Sequence, residues 1–180
     1  MRTFATEGIV LKRSNAGEAD RIVTLFTRDY GKISCVAKGV RKTTSSKRSA
    51  LEPGMYSKIF CAKGHGLPIL TQAQIIEDFP ESRKSLHTTK SLSQVLEIFD
   101  TVMVEEETQD GVFDVAVEIL RTLNQSDASH RREIIEMLKD IMGTLGFQDI
   151  DDTKFESVSE YVEFLSERKM HSFAFLTVKK

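Results

Sequence analysis

Residues 17–48 read GEADRIVTLFTRDYGKISCVAKGVRKTTSSKR, and how this stretch is read decides the fold. Its apolar run Ile22-Val23-Thr24-Leu25-Phe26 is β-branched and aromatic, which suits a pleated strand. Asp29-Tyr30-Gly31-Lys32 is a tight turn, because glycine accepts the positive φ that such turns demand. A second strand follows to Lys38, then Gly39-Val40-Arg41-Lys42 and a Ser/Thr-rich loop ending at Lys47-Arg48. Lys32, Lys38, Arg41, Lys42, Lys47 and Arg48 are cations, and no Asp or Glu lies between Tyr30 and Leu51. A hairpin that delivers unbalanced positive charge into a loop is a phosphate-binding device; the alternative is a solvated surface loop.

Outward from this hairpin, the first half of the chain predicts five strands: Thr6 to Arg13, Asp20 to Thr27, Lys32 to Lys38, Met55 to Ala62 and Pro68 to Ile76. Alternation puts Tyr56, Lys58 and Phe60 on one face and Ile69, Thr71, Ala73 and Ile75 on another. Asn15-Ala16-Gly17, Tyr30-Gly31, Glu52-Pro53-Gly54 and Lys63-Gly64-His65-Gly66 supply the turns. Five short strands are too few for a sandwich but suit a small closed barrel, for which the OB-fold is the leading choice. OB-folds use their strand faces and loops to hold single-stranded nucleic acid.

The composition fits a globular chain able to bury a core: 180 residues, 40% hydrophobic and 29% charged. No run approaches the roughly 18 apolar residues of a membrane span, and the N-terminus lacks the apolar core of a signal peptide. Cys35 and Cys61 are the only cysteines, which argues against a disulfide framework and for a reducing cytoplasm. The net charge of −2 hides an asymmetry. Residues 1–79 hold 13 Lys/Arg against 7 Asp/Glu, and residues 80–180 hold 12 against 20. Such a split expects a basic half for a polyanion and an acidic half with another role.

The second half changes period near Asp78-Phe79-Pro80, where proline disfavours helix in the residue before it. From Thr89 to Glu107, Leu92, Val95, Leu96, Phe99, Val102 and Met103 keep i, i+3, i+4 spacing. Val112 to Leu123 is apolar on most sides and reads as a central helix. Ser129 is the expected cap of a third helix, which carries Ile134, Ile135, Leu138, Ile141 and Met142 and stops at Gly146. A last short helix runs from about Ser157 to Lys169, and the apolar tail Phe173-Ala174-Phe175-Leu176 must pack or form a patch. The expected class is α+β: residues 1–79 an OB-fold barrel, residues 80–180 a helical bundle.

Chemistry is sparse. His65, His87, His130 and His171 are scattered without a second ligand at metal-site spacing, and the cysteines lie 26 apart on predicted strands. Glu105-Glu106-Glu107 reads as a solvated helix end. Gly64-His65-Gly66 lacks the Lys-Ser/Thr of a nucleotide-phosphate loop. No nucleophile stands beside a base, which argues against an enzyme; no cofactor or metal is expected. Binding remains. Phe26, Tyr30, Tyr56 and Phe60 are interleaved with the basic residues and are the rings available to stack on bases, Tyr30 and Tyr56 being the two expected at the surface.

The blocks Glu7-Gly8-Ile9-Val10-Leu11-Lys12, Gly17-Glu18-Ala19-Asp20-Arg21 through Thr27, Gly31-Lys32-Ile33, Ala37-Lys38-Gly39-Val40-Arg41-Lys42, Leu51-Glu52-Pro53 and Leu70-Thr71-Gln72-Ala73 form an ordered set. Together they resemble the N-terminal domain of the RecO family of bacterial recombination and repair mediators. The resemblance implies an OB-fold followed by a helical domain and no bond-making chemistry. It further implies binding of single- and double-stranded DNA, annealing of complementary strands, cooperation with RecR, and help to RecA in replacing the single-stranded-DNA-binding protein. A nucleoid-associated, cytoplasmic location follows from the same resemblance.

The second half matches that family only in outline. Its members commonly carry a four-cysteine zinc site in the helical domain, though some lack it; this chain has no cysteine after Cys61 and is shorter than typical members. On the DNA-binding reading Lys38, Arg41 and Lys42 are the phosphate clamp, extended by Lys47 and Arg48, with Lys12, Arg13, Arg21 and Lys32 in second rank and Tyr30 as a stacking ring. Glu18 and Asp20 are expected to be structural, pairing Arg21 or capping the turn. Two other classes stay open: an RNA-binding OB protein, and an adaptor whose basic loop meets an acidic partner. For the acidic tail of the single-stranded-DNA-binding protein, which the resemblance implies as a ligand of the helical half, Arg121, Arg131 and Arg132 are the candidate holders, with Leu120 and Ile134 as pocket walls; the alternative is that Arg131 and Arg132 pair with Glu133, Glu136 or other acids of this half.

Overall fold

The computed structural model describes residues 3–125 and 130–172. The chain divides into two compact units. One lies within Met1–Asp78 and Met103–Thr108, the other within Phe79–Val102 and Gln109–Lys180.

The first unit is a closed five-stranded barrel: β1 Thr3–Ala16, β2 Asp20–Thr27, β3 Gly31–Ala37, β4 Tyr56–Ala62 and β5 Ile69–Glu77, in the order β1-β2-β3-β5-β4. Closure depends on β1, the longest strand. Its first half pairs β4 from Thr3↔Ala62 to Ile9↔Tyr56, and its second half pairs β2 from Gly8↔Thr27 to Ala16↔Asp20. An irregularity between Val10 and Lys12 bends the strand from one partner to the other. The β2–β3 hairpin is in register from Thr27↔Gly31 to Arg21↔Ala37. Gly31 takes φ +61°, as the turn requires, and the Thr27 hydroxyl donates to the Gly31 carbonyl at 2.8 Å.

Burial alternates strictly along β3, and Ile33, Cys35 and Ala37 meet Val23 and Leu25 of β2 and Ile59 and Cys61 of β4 in one core. β3 pairs β5 in parallel only at Val36↔Ile69, so its opposite end needs another partner. That partner is the segment 103–108. Glu105 bridges Lys32 in parallel, and the Glu106 amide donates to the Lys32 carbonyl at 3.0 Å. Unpaired edge groups are thereby satisfied.

The second unit contains α1 Leu86–Val102, α2 Val112–Asn124, α3 His130–Thr144 and α4 Val158–Ser166. α2 buries Phe113, Ala116, Val117, Ile119 and Leu120, as its all-round apolar pattern predicts. α3 ends in a Schellman turn: Gly146 takes φ +84°, and the Phe147 amide donates to the Met142 carbonyl at 2.9 Å. Ser157 caps α4 by accepting from the Glu160 amide at 3.2 Å.

Three expectations are corrected. α1 begins at Leu86, before Thr89, because Ser85 caps it: its hydroxyl accepts from the Thr88 amide at 3.1 Å. The same helix stops at Val102, so Glu105-Glu106-Glu107 is not a helix end but part of the barrel unit. α4 stops at Ser166, with Glu167 at φ +53°. Ser129 and the tail Phe173–Leu176 lie outside the described residues.

Candidate nucleic-acid interface

The loop after β3 is anchored before it becomes basic. Gly39, at φ +65°, donates its amide to Asp20 Oδ1 at 2.7 Å. Val40 is fully buried in the barrel core, and the Arg41 amide donates to the Ala19 carbonyl at 3.0 Å. Asp20 therefore caps this loop, while Gly17 accepts from Arg41 Nη1 at 3.0 Å. The acidic Gly17–Asp20 turn and the basic loop are two halves of one scaffold. Lys47 Nζ donates to the carbonyls of Lys38 and Leu70 at 3.3 Å each and ties the loop's far end to β5. Leu51, in the short 3-10 turn Ser49–Leu51, is buried and returns the chain to the core.

On this frame Lys38, Arg41, Lys42 and Arg48 are exposed. Lys38, Lys42 and Arg48 carry no ion pair among the described residues. The loop thus carries four exposed cations, with core residues at its base. Lys12 is exposed on β1 and Lys32 is half-buried on β3.

Arg13 and Arg21 have a different place. Glu52 holds Arg13 in a fork, Nη1 to Oε1 at 2.8 Å and Nη2 to Oε2 at 2.7 Å, and Arg21 Nη1 reaches the same carboxylate at 3.5 Å. The partner of Arg21 is thus Glu52, and of the two roles expected for the acids Asp20 takes the capping one. Both arginines act first as a clasp between β1, β2 and the turn before β4.

The rings separate as well. Tyr56, expected at the surface, is buried: its hydroxyl donates to Glu7 Oε2 at 2.5 Å. Burial, together with that bond to Glu7 and against the opposing Arg28, raises its pKa above the usual tyrosine value. Phe26 is buried and Phe60 half-buried. Tyr30 is half-buried and packs on Phe4, ring centroids 4.6 Å apart. Lys63 Nζ lies 5.6 Å from the Phe4 ring and 5.9 Å from the Tyr30 ring. Phe4 and Lys63 were not singled out from the sequence. Phe4 precedes the predicted start of its strand, and Lys63 stood only as part of a turn.

Cys35 and Cys61 face each other inside the barrel, Sγ to Sγ 3.6 Å, both buried. The hydrogen bond to Cys61 and burial push the Cys35 thiol above its ordinary range. Among the described residues no three His, Cys, Asp or Glu side chains gather to hold a metal ion. Nor is any helix there long and apolar enough to cross a membrane.

In the helical unit Arg121 is exposed at the end of α2 and pairs with Glu118 at 3.2 Å. Arg131 and Arg132 open α3, half-buried and exposed respectively. Leu120 and Ile134, expected as walls of an open pocket, are instead buried in the helical core, because each lies on the inward stripe of its helix.

A closed barrel in the order β1-β2-β3-β5-β4, followed by helices, defines an OB-fold protein of the α+β class. Residues 1–79 match the family model described as Recombination protein O N terminal. The chain is 33% identical over 137 residues to the DNA repair protein RecO of Pelotomaculum thermopropionicum, covering 76% of this chain and 54% of that protein. It is 34% identical over 131 residues to RecO of Syntrophus aciditrophicus, covering 72% and 51%. With RecO of Bacillus subtilis it shares 31% identity over 140 residues, covering 78% and 54%. Through these matches the chain belongs to the RecO family. It spans about half the length of the curated relatives it matches.

Proposed function

We propose that this chain is a DNA-binding protein of recombination and repair whose barrel holds DNA by its phosphates through the loop 38–48. The observation that carries this reading is the anchored loop itself. Asp20, Val40 and Lys47 fix the backbone, while Lys38, Lys42 and Arg48 are exposed without an ion pair among the described residues. Such a patch gains its affinity by releasing counterions and reads no sequence. It therefore serves single and double strands alike. Holding two complementary strands close at one patch is what annealing requires, and neutralising their phosphates lowers their repulsion. Delivery of coated single strands to RecA, in concert with RecR, is the wider role to which this binding belongs. The name those relatives carry, DNA repair protein RecO, supports the same assignment.

The test is a titration of a labelled single strand at several salt concentrations. If three to five phosphates are neutralised, log affinity falls with log salt at a slope of about −2 to −3.5. A flat salt response, or binding to RNA alone, would refute the reading.

A further inference from the structure

Along β3, from the Tyr30 turn toward Pro68, runs a cavity of about 560 Å³ formed wholly within the barrel unit. That volume lies within the roughly 300–1,000 Å³ of small-ligand sites. Phe4 and Tyr30 form its aromatic wall, Leu67 of the β4–β5 connection its apolar lip, and Glu105 and Glu106 its far side. Both rings are half-buried: they pack against the barrel core and also line the cavity. Lys63, exposed on the β4–β5 connection, stands over both.

We propose that this cavity takes one unstacked nucleotide, its base against the Phe4–Tyr30 pair and its phosphate at Lys63; the inference rests on the DNA-binding reading and gives it a place for the base. Three features choose this occupant. A tilted ring pair, interplanar angle 57°, offers a flat apolar ligand one ring face and the edge of another. The cavity's charged groups are the exposed carboxylates Asp29, Glu105 and Glu106 and the cations Lys32 and Lys63; Lys63 is the exposed cation and lies beside the rings, where it can meet a phosphate. The base then points inward and the backbone stays outside. Finally, the cavity runs along β3 toward the basic loop: its lining reaches from Tyr30 to Pro68, whose carbonyl accepts from the Val36 amide just before Lys38, so a strand of several nucleotides bridges the two. A paired base in a duplex cannot enter, so the cavity favours single strands.

Glu105 and Glu106 hold their place through the pairing with Lys32, and Gly31 makes the approach possible. A Cβ at Gly31 would overlap the Glu107 backbone.

The experiment compares the full chain's affinity for a 12-nucleotide single strand with that for the same strand carrying abasic sites at its four central positions, which keeps every phosphate. Wild type should lose roughly fivefold or more on the abasic strand. In Tyr30→Leu that difference should vanish while the salt slope holds, and in Lys63→Gln the slope should shrink by about 0.7. Equal wild-type affinity for both strands, with steep salt dependence retained, overturns the base site and leaves the basic loop standing. Should wild type bind neither strand, titration with free deoxyadenosine monophosphate decides. Binding lost in Tyr30→Leu supports a site for free nucleotide, and no binding overturns it.

Discussion

Arg13 and Arg21 converge on one carboxylate, Glu52, whereas Lys38, Lys42 and Arg48 stand exposed with no ion pair among the described residues. In one-letter code the two groups look alike. A polyanion that approaches the arginine clasp must compete with a carboxylate already seated in a fork. One that approaches the loop displaces only water and counterions. What a cation has beside it, more than its presence, decides whether it is available to bind.

The contrast can be broken most forcefully at the loop. Replacing Lys38, Arg41 and Lys42 together with Ala should weaken single-strand binding by at least about tenfold and reduce the salt slope by about 2. Thermal unfolding should move little, because exposed charges contribute little to stability. Wild-type affinity in this variant would place the clamp elsewhere. Asp20→Ala acts one step back, on the anchor. Losing the charged acceptor of the Gly39 amide should cost about 1–2 kcal/mol of stability and loosen DNA roughly threefold, read by denaturant unfolding and the same titration. Unchanged stability would show that Val40 alone holds the loop.

Glu52→Gln turns the comparison around. Removing the shared carboxylate releases Arg13 and Arg21, so DNA affinity should rise severalfold at low salt with a steeper slope. The cost in stability should be about 0.5–1 kcal/mol, since the clasp is only partly buried. A fall in affinity would mean that the clasp positions the interface. The smallest effect is expected from Arg13→Ala, whose DNA affinity should stay within about twofold of wild type because that charge is already neutralised locally. A tenfold loss would restore Arg13 to the interface.

The barrel was legible because its signal is local. The β-branched and aromatic run Ile22–Phe26 marks β2, Ile33, Cys35 and Ala37 on β3 alternate with partly exposed neighbours, and Gly31 marks the turn between them. Tyr56 was misread for a reason that lies in the partner strand. A register shift against β5 falls between Tyr56 and Ser57, so both are buried and simple alternation fails there. The clasp was illegible because Glu52 sits 39 residues from Arg13, in a turn whose Pro53-Gly54 announces only a change of direction. The segment 103–108 was hidden by its own pattern. Met103 continues the apolar spacing of α1, and nothing near Glu105 points to Lys32. The loop cations were legible as charge, but which of them have partners is a property of the fold.

The pairing of Glu105 with Lys32 makes the barrel a discontinuous domain. Its last piece of backbone is synthesised after a whole helix has intervened, and closing that contact encloses a loop of about 70 residues. A nascent chain that has just released β5 thus carries a barrel with one open flank at β3, and stays so until Thr108 has emerged. A fragment cut at Asp78 would lose the bridge to Lys32 and the amide that its carbonyl accepts from, an open edge ready to recruit another strand. The natural excision point of this barrel in space is therefore not the one that the chain's order proposes.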